Sequence, residues 1–403
     1  MWLSDEKAFE LVKEFGTPLY VYDEKTLRRS CREMRDLLPG KNFHASYSAK
    51  ANSNIELLKI VHEEGLSADA MSPGEVYILE LAGFKNEQIF FVSNNSSEEE
   101  LLFALERGIL FSADSLSQLA LYGKLNPGGD VAVRFNPSAG LGHNKKVVTA
   151  GKSTKFGVQL SFIPEVKELL AKYDLNLVGI NHHLGSLVMV KEPYLAGMVE
   201  LLDAAKQFPG LSFIDFGGGF GVPYKEDDAR LDLSDLSAAM DEMLDDFLAE
   251  YDNKDVMFRT EPGRYIAAEC GVLLGTVNAI KTNYGNEYIG TDLGFNVLMR
   301  PVLYNSYHAI KIFSKDKTAG EPGPRTVSGN VCESGDILAK NRDLPQAREG
   351  DLACVMTAGA YGFSMSSNYN QRLRPAEVLI NTDGSHRLIR RRENFEDLTR
   401  TSV

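Results

Sequence analysis

Eight short apolar runs recur between residues 43 and 263, each separated from the next by a longer segment of helical period, and this alternation constrains the fold more than anything else in the chain. The runs are FHASYSA (43–49), LSADAMS (66–72), IFFVSN (89–94), ILFSADS (109–115), VAVRFNP (131–137), LVGINHH (177–183), FIDFGGG (213–219) and MFRTEPG (257–263). Between them lie stretches such as SPGEVYILELAGF and LSAAMDEMLDDFLAEY, whose apolar residues return three and four positions apart. Short β-rich runs alternating with amphipathic helices are the pattern of parallel strands joined by crossover helices. Eight such units over roughly 220 residues predict a (β/α)8 barrel, typically about 250 residues long, with an open doubly wound sheet as the alternative.

Beyond residue 266 the texture changes to strand-like runs, GVLLGTVNAIK, EYIGTD, AIKIF, RTVSGNVC, DLACVM and EVLIN, separated by turns rich in Gly, Asn, Asp and Pro. These predict a second, mostly antiparallel β domain. PLYVYD (18–23) is also strand-like, so the expected division is a barrel over 28–266 and a β domain built from 1–27 with 267–403. A chain of 403 residues with 43% hydrophobic and 25% charged side chains can bury two cores and is globular in composition. The net charge of −13 disfavours a nucleic-acid or anionic-membrane partner. No apolar run reaches the roughly 20 residues of a spanning helix, and the acidic amphipathic start is unlike a secretory signal, so a cytoplasmic location is expected. Cys31, Cys270, Cys332 and Cys354 form no CxxC pair, which suggests neither a metal site nor a disulfide framework.

A barrel of this kind places its active site at the C-terminal strand ends. The first run ends in SAKANSN with Lys50, the sixth in NHHLGS with His183, the seventh in DFGGGFG, and the eighth in TEPGR with Glu261 and Arg264. A lysine ending an apolar strand is partly desolvated, which lowers its pKa and eases its use as an amine nucleophile. Equally, it could be a rim lysine snorkelling to solvent. Glycines let backbone N–H groups approach phosphate oxygens, although a glycine cluster alone also reads as a tight turn. Taken together, an amine for an aldehyde, a phosphate cradle, a flat ring to stack and a carboxylate for a pyridine nitrogen are what pyridoxal phosphate requires.

With these residues in place, the sequence resembles the pyridoxal-phosphate decarboxylases of the alanine-racemase fold, the group that contains diaminopimelate, ornithine and arginine decarboxylases. The resemblance runs through GTPLYVYD, YSAKAN, GHNKKVVTAGKSTKFGV, HHLGS, FGGGFG and EPGRY into LMRPVLYNSYH, CESGD and GAYGFSMSSNYNQRLRPAEVL. The last three motifs are most similar to the diaminopimelate branch. The resemblance implies that pyridoxal 5′-phosphate is bonded by Lys50, stacked by His183, held at its phosphate by Gly217, Gly218, Gly219 and Gly263, and paired at its ring nitrogen by an ionised Glu261. It implies further that Arg264, Arg300 and Tyr304 grip the far end of the substrate, with Tyr361 near the cofactor. Cys332 and Glu333 would enter from the partner chain of a homodimer with shared active sites. The reaction implied is decarboxylation of meso-diaminopimelate to L-lysine, with Cys332 or Lys50 returning the proton.

The sequence departs from the family pattern in two places. Asn181 stands where relatives usually carry the first histidine of His-x-His, and Val297 stands where many diaminopimelate decarboxylases carry an acid. The second departure keeps D-ornithine, D-lysine or a carrier-bound glutamyl group open as substrates. A racemase is disfavoured by Glu261, since alanine racemases set an arginine against the ring nitrogen, and by Cys332. An inactive regulatory homologue is disfavoured by the intact Lys50, Glu261 and Cys332.

Overall fold

The computed structural model describes residues 2–137, 140–142, 149–151, 154–315 and 320–403. Residues 143–148 and 152–153 of the GHNKKVVTAGKSTKFGV motif therefore lie outside the described residues. The chain divides into two compact units, Arg28–Val222 with Ala229–Ile266, and Met1–Leu27 with Pro223–Asp228 and Ala267–Val403.

Strand β1 (Leu19–Asp23) belongs to the second unit. The first unit holds eight parallel strands, β2 (Phe43–Ser48), β3 (Ser67–Ala70), β4 (Ile89–Phe91), β5 (Leu110–Ala113), β6 (Asp130–Asn136), β7 (Asn176–Asn181), β8 (Phe213–Asp215) and β9 (Met257–Thr260). They pair in the order β5-β4-β3-β2-β9-β8-β7-β6, and β5 also pairs with β6, which closes the barrel. Helices Ile55–Glu63, Pro73–Ala82, Glu98–Glu106, Leu116–Leu125, Ile163–Tyr173, Glu192–Ala205 and Leu233–Glu250 follow the first seven strands. Their starts are fixed locally. Ser72, Ser97 and Ser115 each cap a helix by accepting the N–H three residues on, and Ser97 with Glu100 forms a reciprocal capping box.

Packing inside the barrel changes character along its axis. Phe90, Val92, Ala132 and Phe213 form a buried apolar cluster, into which Phe213 fits because Gly179 beside it has no Cβ; an added Cβ there would lie 2.2 Å from the phenyl ring. One step toward the C-terminal ends, the register sets Arg134 beside Asn181, Asn181 beside Asp215, and Asp215 beside Arg259. An apolar floor therefore carries a row of polar side chains, and the strand ends that bear the candidate site sit directly above that row.

In the second unit the sheet runs β14-β13-β11-β10-β1-β16-β17, where β10 is Gly271–Asn283, β11 Asn286–Thr291, β13 Gly323–Ser328, β14 Ile337–Leu344, β16 Ala376–Ile380 and β17 His386–Arg390. Strand β12 (Ile310–Phe313) pairs with β15 (Leu352–Val355), which pairs with β10. Only β1 with β16 and β11 with β13 run parallel among these pairings. Leu3, and Ala8 and Leu11 of the helix Asp5–Phe15, join Leu19, Val21, Val272, Leu274, Phe313, Leu352 and Val378 in this unit's core. Fully burying each of the Leu, Val and Phe side chains is worth roughly 1.5–3 kcal/mol. The segment Pro223–Asp228, expected within the barrel range, clusters with this unit because the Tyr224 ring lies against Arg300 and His308.

Candidate active site

Lys50 sits in the single turn Ala49–Ala51 directly after β2 and is half-buried. Ser48 fastens that strand end to the end of β9, its N–H donating to Pro262 O at 3.1 Å and its hydroxyl to Glu261 O at 3.2 Å. One backbone and one side-chain hydrogen bond thus bring the lysine turn and the EPGR turn together. The charge of Lys50 acts on Asp69, Glu75, Glu261 and His183.

Glu261 is 2% exposed, and its Oε1 has no hydrogen-bond partner among the described residues. Burial, reinforced by the charge of Asp215, pushes its carboxyl up to about 8 against the pull of Lys50, Arg134 and Arg259. The family resemblance implies an ionised Glu261 beside a ring nitrogen; the protein's own groups raise this carboxyl, because desolvation outweighs three nearby cations. Asp215 is pushed up to about 7, again chiefly by burial, although its Oδ1 accepts the Gly217 N–H at 2.7 Å. Asp69, buried at the end of β3, is raised well above the carboxylate range by burial and then by Glu261.

The glycine run is built for close approach. Gly217 and Gly219 have φ of +63° and +107°, and a Cβ on Gly217 or Gly218 would lie 2.2 Å from His182 O or 2.0 Å from Glu261 O. The Gly217 N–H is engaged by Asp215, and that of Gly218 donates to His183 Nδ1 at 3.0 Å. Burial, followed by the charges of Lys50 and Arg134, holds His183 well below the usual histidine range. Its ring is therefore neutral, with the proton on Nε2, since Nδ1 accepts. His182 beside it is driven down to about 3, first by burial and then by Arg134. Gly263 is buried, and Arg264, 5% exposed, donates through Nε and Nη2 to Ser186 Oγ at 3.1 and 2.8 Å.

In the second unit, Arg300 opens the helix Arg300–Tyr304 and is 2% exposed, while Tyr304 at its end is half-buried. Cys332 and Glu333 lie exposed on one turn. Asn370 Oδ1 takes the Cys332 N–H at 2.9 Å, and Glu333 accepts the Tyr369 hydroxyl at 2.6 Å. Tyr361 is half-buried with φ +56°, a left-handed conformation uncommon for a bulky residue.

Sequence reasoning missed the charges beneath the site, Asp69, Arg134, Asp215 and Arg259. The signal was present as single ionisable residues inside otherwise apolar runs, VAVRFN and MFRT among them. It also missed Ser186, which orients Arg264.

Residues 24–268 match the family model described as "Pyridoxal-dependent decarboxylase, pyridoxal binding domain". The chain belongs to the pyridoxal-dependent decarboxylases. It is 41% identical over 402 residues to the diaminopimelate decarboxylase of Methanothermobacter thermautotrophicus, covering 98% of this chain and 93% of that one. The enzyme of that name from Archaeoglobus fulgidus is 36% identical over 407 residues, with 97% and 94% coverage. The crystal structure of diaminopimelate decarboxylase from Helicobacter pylori complexed with L-lysine superposes with a TM-score of 0.89 at 31% identity, covering 97% of this chain and 98% of that chain. The cofactor of this decarboxylase is pyridoxal 5′-phosphate. Its barrel offers what such a group needs: a primary amine, a neutral imidazole, a loop free of Cβ atoms and a buried carboxyl oxygen lacking a partner.

Proposed function

We propose that this enzyme decarboxylates meso-diaminopimelate to L-lysine. The observation that carries the reaction is Glu261, a buried carboxyl at a barrel strand end whose Oε1 lacks a partner and which is fastened through Ser48 to the turn bearing Lys50. The substrate is supported by the diaminopimelate decarboxylases that resemble the chain over nearly its whole length.

When bound, pyridoxal phosphate supplies an aldehyde for the substrate amine and a ring that accepts the electron pair released as CO2 leaves. Lys50 would hold the cofactor through its amine. His183 would offer the ring a neutral, flat surface that adds no charge beside it. Glu261, whose carboxyl burial raises, would hold the ring nitrogen through a shared proton. Gly217, Gly218, Gly219 and Gly263 would receive the phosphate, where the lack of Cβ atoms leaves the backbone open to approach.

Arg264, Arg300 and Tyr304 grip the far end of the substrate, the guanidinium groups and the hydroxyl donating to its carboxylate, with Glu333 and Tyr361 as further contacts. Cys332 or Lys50 returns the proton. The exposure of Cys332 and Glu333 leaves them open to a partner's site in a homodimer, which we place in the cytoplasm. The barrel at 28–266 would be the cofactor domain, and 1–27 with 267–403 the domain that supplies substrate and dimer-site residues. Among the described residues no helix is long and apolar enough to cross a membrane.

The test is CO2 release from meso-diaminopimelate, D-lysine and D-ornithine by purified protein with pyridoxal phosphate. Preference for either diamine, or no release from diaminopimelate, overturns the substrate. Arg300→Ala should impair diaminopimelate by roughly one to two powers of ten, the worth of a charge-assisted hydrogen bond, and the diamines less.

A further inference from the structure

The LMRPVLYNSYH motif ends in a histidine that has no task in the proposed reaction. His308 is 1% exposed, its Nε2 lies 2.8 Å from Arg300 Nη1, and its Nδ1 lies 2.9 Å from Met356 O. A carbonyl oxygen only accepts, so Nδ1 must carry the ring proton. A guanidinium only donates, so Nε2 must present its lone pair. Both bonds can form together only in the neutral Nδ1–H tautomer. The second wall of this arrangement is Tyr224, whose ring faces the Arg300 guanidinium at 4.8 Å and meets His308 edge-on at 5.2 Å.

We propose that His308 is a positioning residue that sets substrate selectivity: it aims Arg300 at the distal carboxylate of the substrate, with Tyr224 as the guanidinium's backing. This rests on the proposed role of Arg300. A long guanidinium side chain has several rotatable bonds, and holding the guanidinium between a lone pair and a ring face removes much of that freedom before substrate arrives. Because His308 touches the arginine and not the reacting atoms, its influence falls on ligands that carry a distal carboxylate.

Two substitutions separate the bonds. His308→Asn can still donate to Met356 O but is too short to reach Arg300, whereas His308→Gln extends an amide oxygen toward the guanidinium. With holoenzyme, we expect His308→Asn to raise the KM for meso-diaminopimelate about tenfold, the worth of one charge-assisted hydrogen bond, with a smaller change in kcat. Inhibition by L-lysine, which retains the distal carboxylate, should weaken by a similar factor. Inhibition by 1,5-diaminopentane, which has no carboxylate, should change by less than about twofold, and His308→Gln should recover most of the loss. Equal weakening of both inhibitors, a fall confined to kcat, or no recovery in the glutamine variant overturns the inference. If His308→Asn does not fold, Tyr224→Leu, which keeps the histidine and removes the ring, must give the same split between the inhibitors. Wild-type protein that neither turns over meso-diaminopimelate nor is inhibited by L-lysine overturns the substrate reading and this inference with it. Normal wild-type behaviour with unchanged L-lysine inhibition in the variants overturns the inference alone.

Discussion

Replacing Glu261 by glutamine should slow decarboxylation and yet stabilise the protein when it is stripped of cofactor at alkaline pH. In the folded chain burial raises this carboxyl from an ordinary value of 4.5 to about 8. Below about pH 4.5 folded and unfolded chains both hold the proton, so the group's contribution to stability is fully present. Between there and about 8 the unfolded chain releases its proton while the folded chain keeps it, and stability falls as pH rises. Each unit of separation is worth about 1.4 kcal/mol, so the loss by pH 8 amounts to several kcal/mol. Glutamine has no proton to lose, but it leaves a buried amide without partners at a cost of about 1–3 kcal/mol. The balance is a gain on the order of 2 kcal/mol for Glu261→Gln at pH 8 and little or none at pH 5. Asp215, raised to about 7, keeps some pH dependence in the variant, so the slope should flatten without vanishing. Urea denaturation of stripped wild-type and variant protein between pH 5 and 8, followed by far-ultraviolet circular dichroism, measures both quantities. A variant no more stable than wild type at pH 8, or an equally steep decline, would refute the reasoning.

Lys50→Ala should remove turnover and the absorbance of lysine-bound cofactor, and borohydride should no longer fix the cofactor to the chain. Gly217→Ala combines a left-handed backbone, costing about 1–2 kcal/mol, with a Cβ 2.2 Å from His182 O, so it should destabilise the fold by several kcal/mol and weaken pyridoxal phosphate binding, as read by denaturation and by titration of the cofactor's absorbance. If Cys332 serves the partner's site, mixing inactive Lys50→Ala and Cys332→Ala protomers under exchange conditions should restore up to about a quarter of wild-type activity, since random pairing gives about half mixed dimers with one intact site each. No recovery after demonstrated exchange would place both residues in one chain's site.

The barrel was legible because each strand advertises itself locally. IFFVSN and FIDFGGG stand out as runs, and β4 and β8 occupy their first three residues. Both runs overshoot the strand because their last residues are Ser, Asn or Gly, which leave the ladder to build the loops of the site. The candidate site was legible at those ends for the same reason: Lys50, His183, the glycines and Glu261 are unusual where they stand. The row Arg134, Asn181, Asp215 and Arg259 was not, because its members come from four different strands and only the parallel register sets them side by side. His308 was hidden for a related reason. Its partners Tyr224 and Met356 are distant in sequence, and nothing in LMRPVLYNSYH marks the histidine as bonded to the arginine.

The two departures from the family pattern find different answers in the fold. Asn181 stands in the row between Arg134 and Asp215, completely buried, and its Oδ1 accepts the Ser112 hydroxyl at 2.6 Å. A histidine there would bring a third group able to carry positive charge into a buried row that already holds Arg134 and Arg259, and desolvation would oppose its charging. The neutral amide preserves a polar link across the barrel without that conflict. Val297 is 1% exposed, and the Tyr20 hydroxyl donates to its backbone oxygen at 2.5 Å. That bond uses the main chain, so it makes no demand on the side chain, and a buried valine fits where an acid would need a compensating partner. At Val297 the departure removes a charge without removing the hydrogen bond that anchors the segment leading into Arg300. The Arg300 guanidinium in turn meets the lone pair on His308 Nε2, eight residues further along the chain.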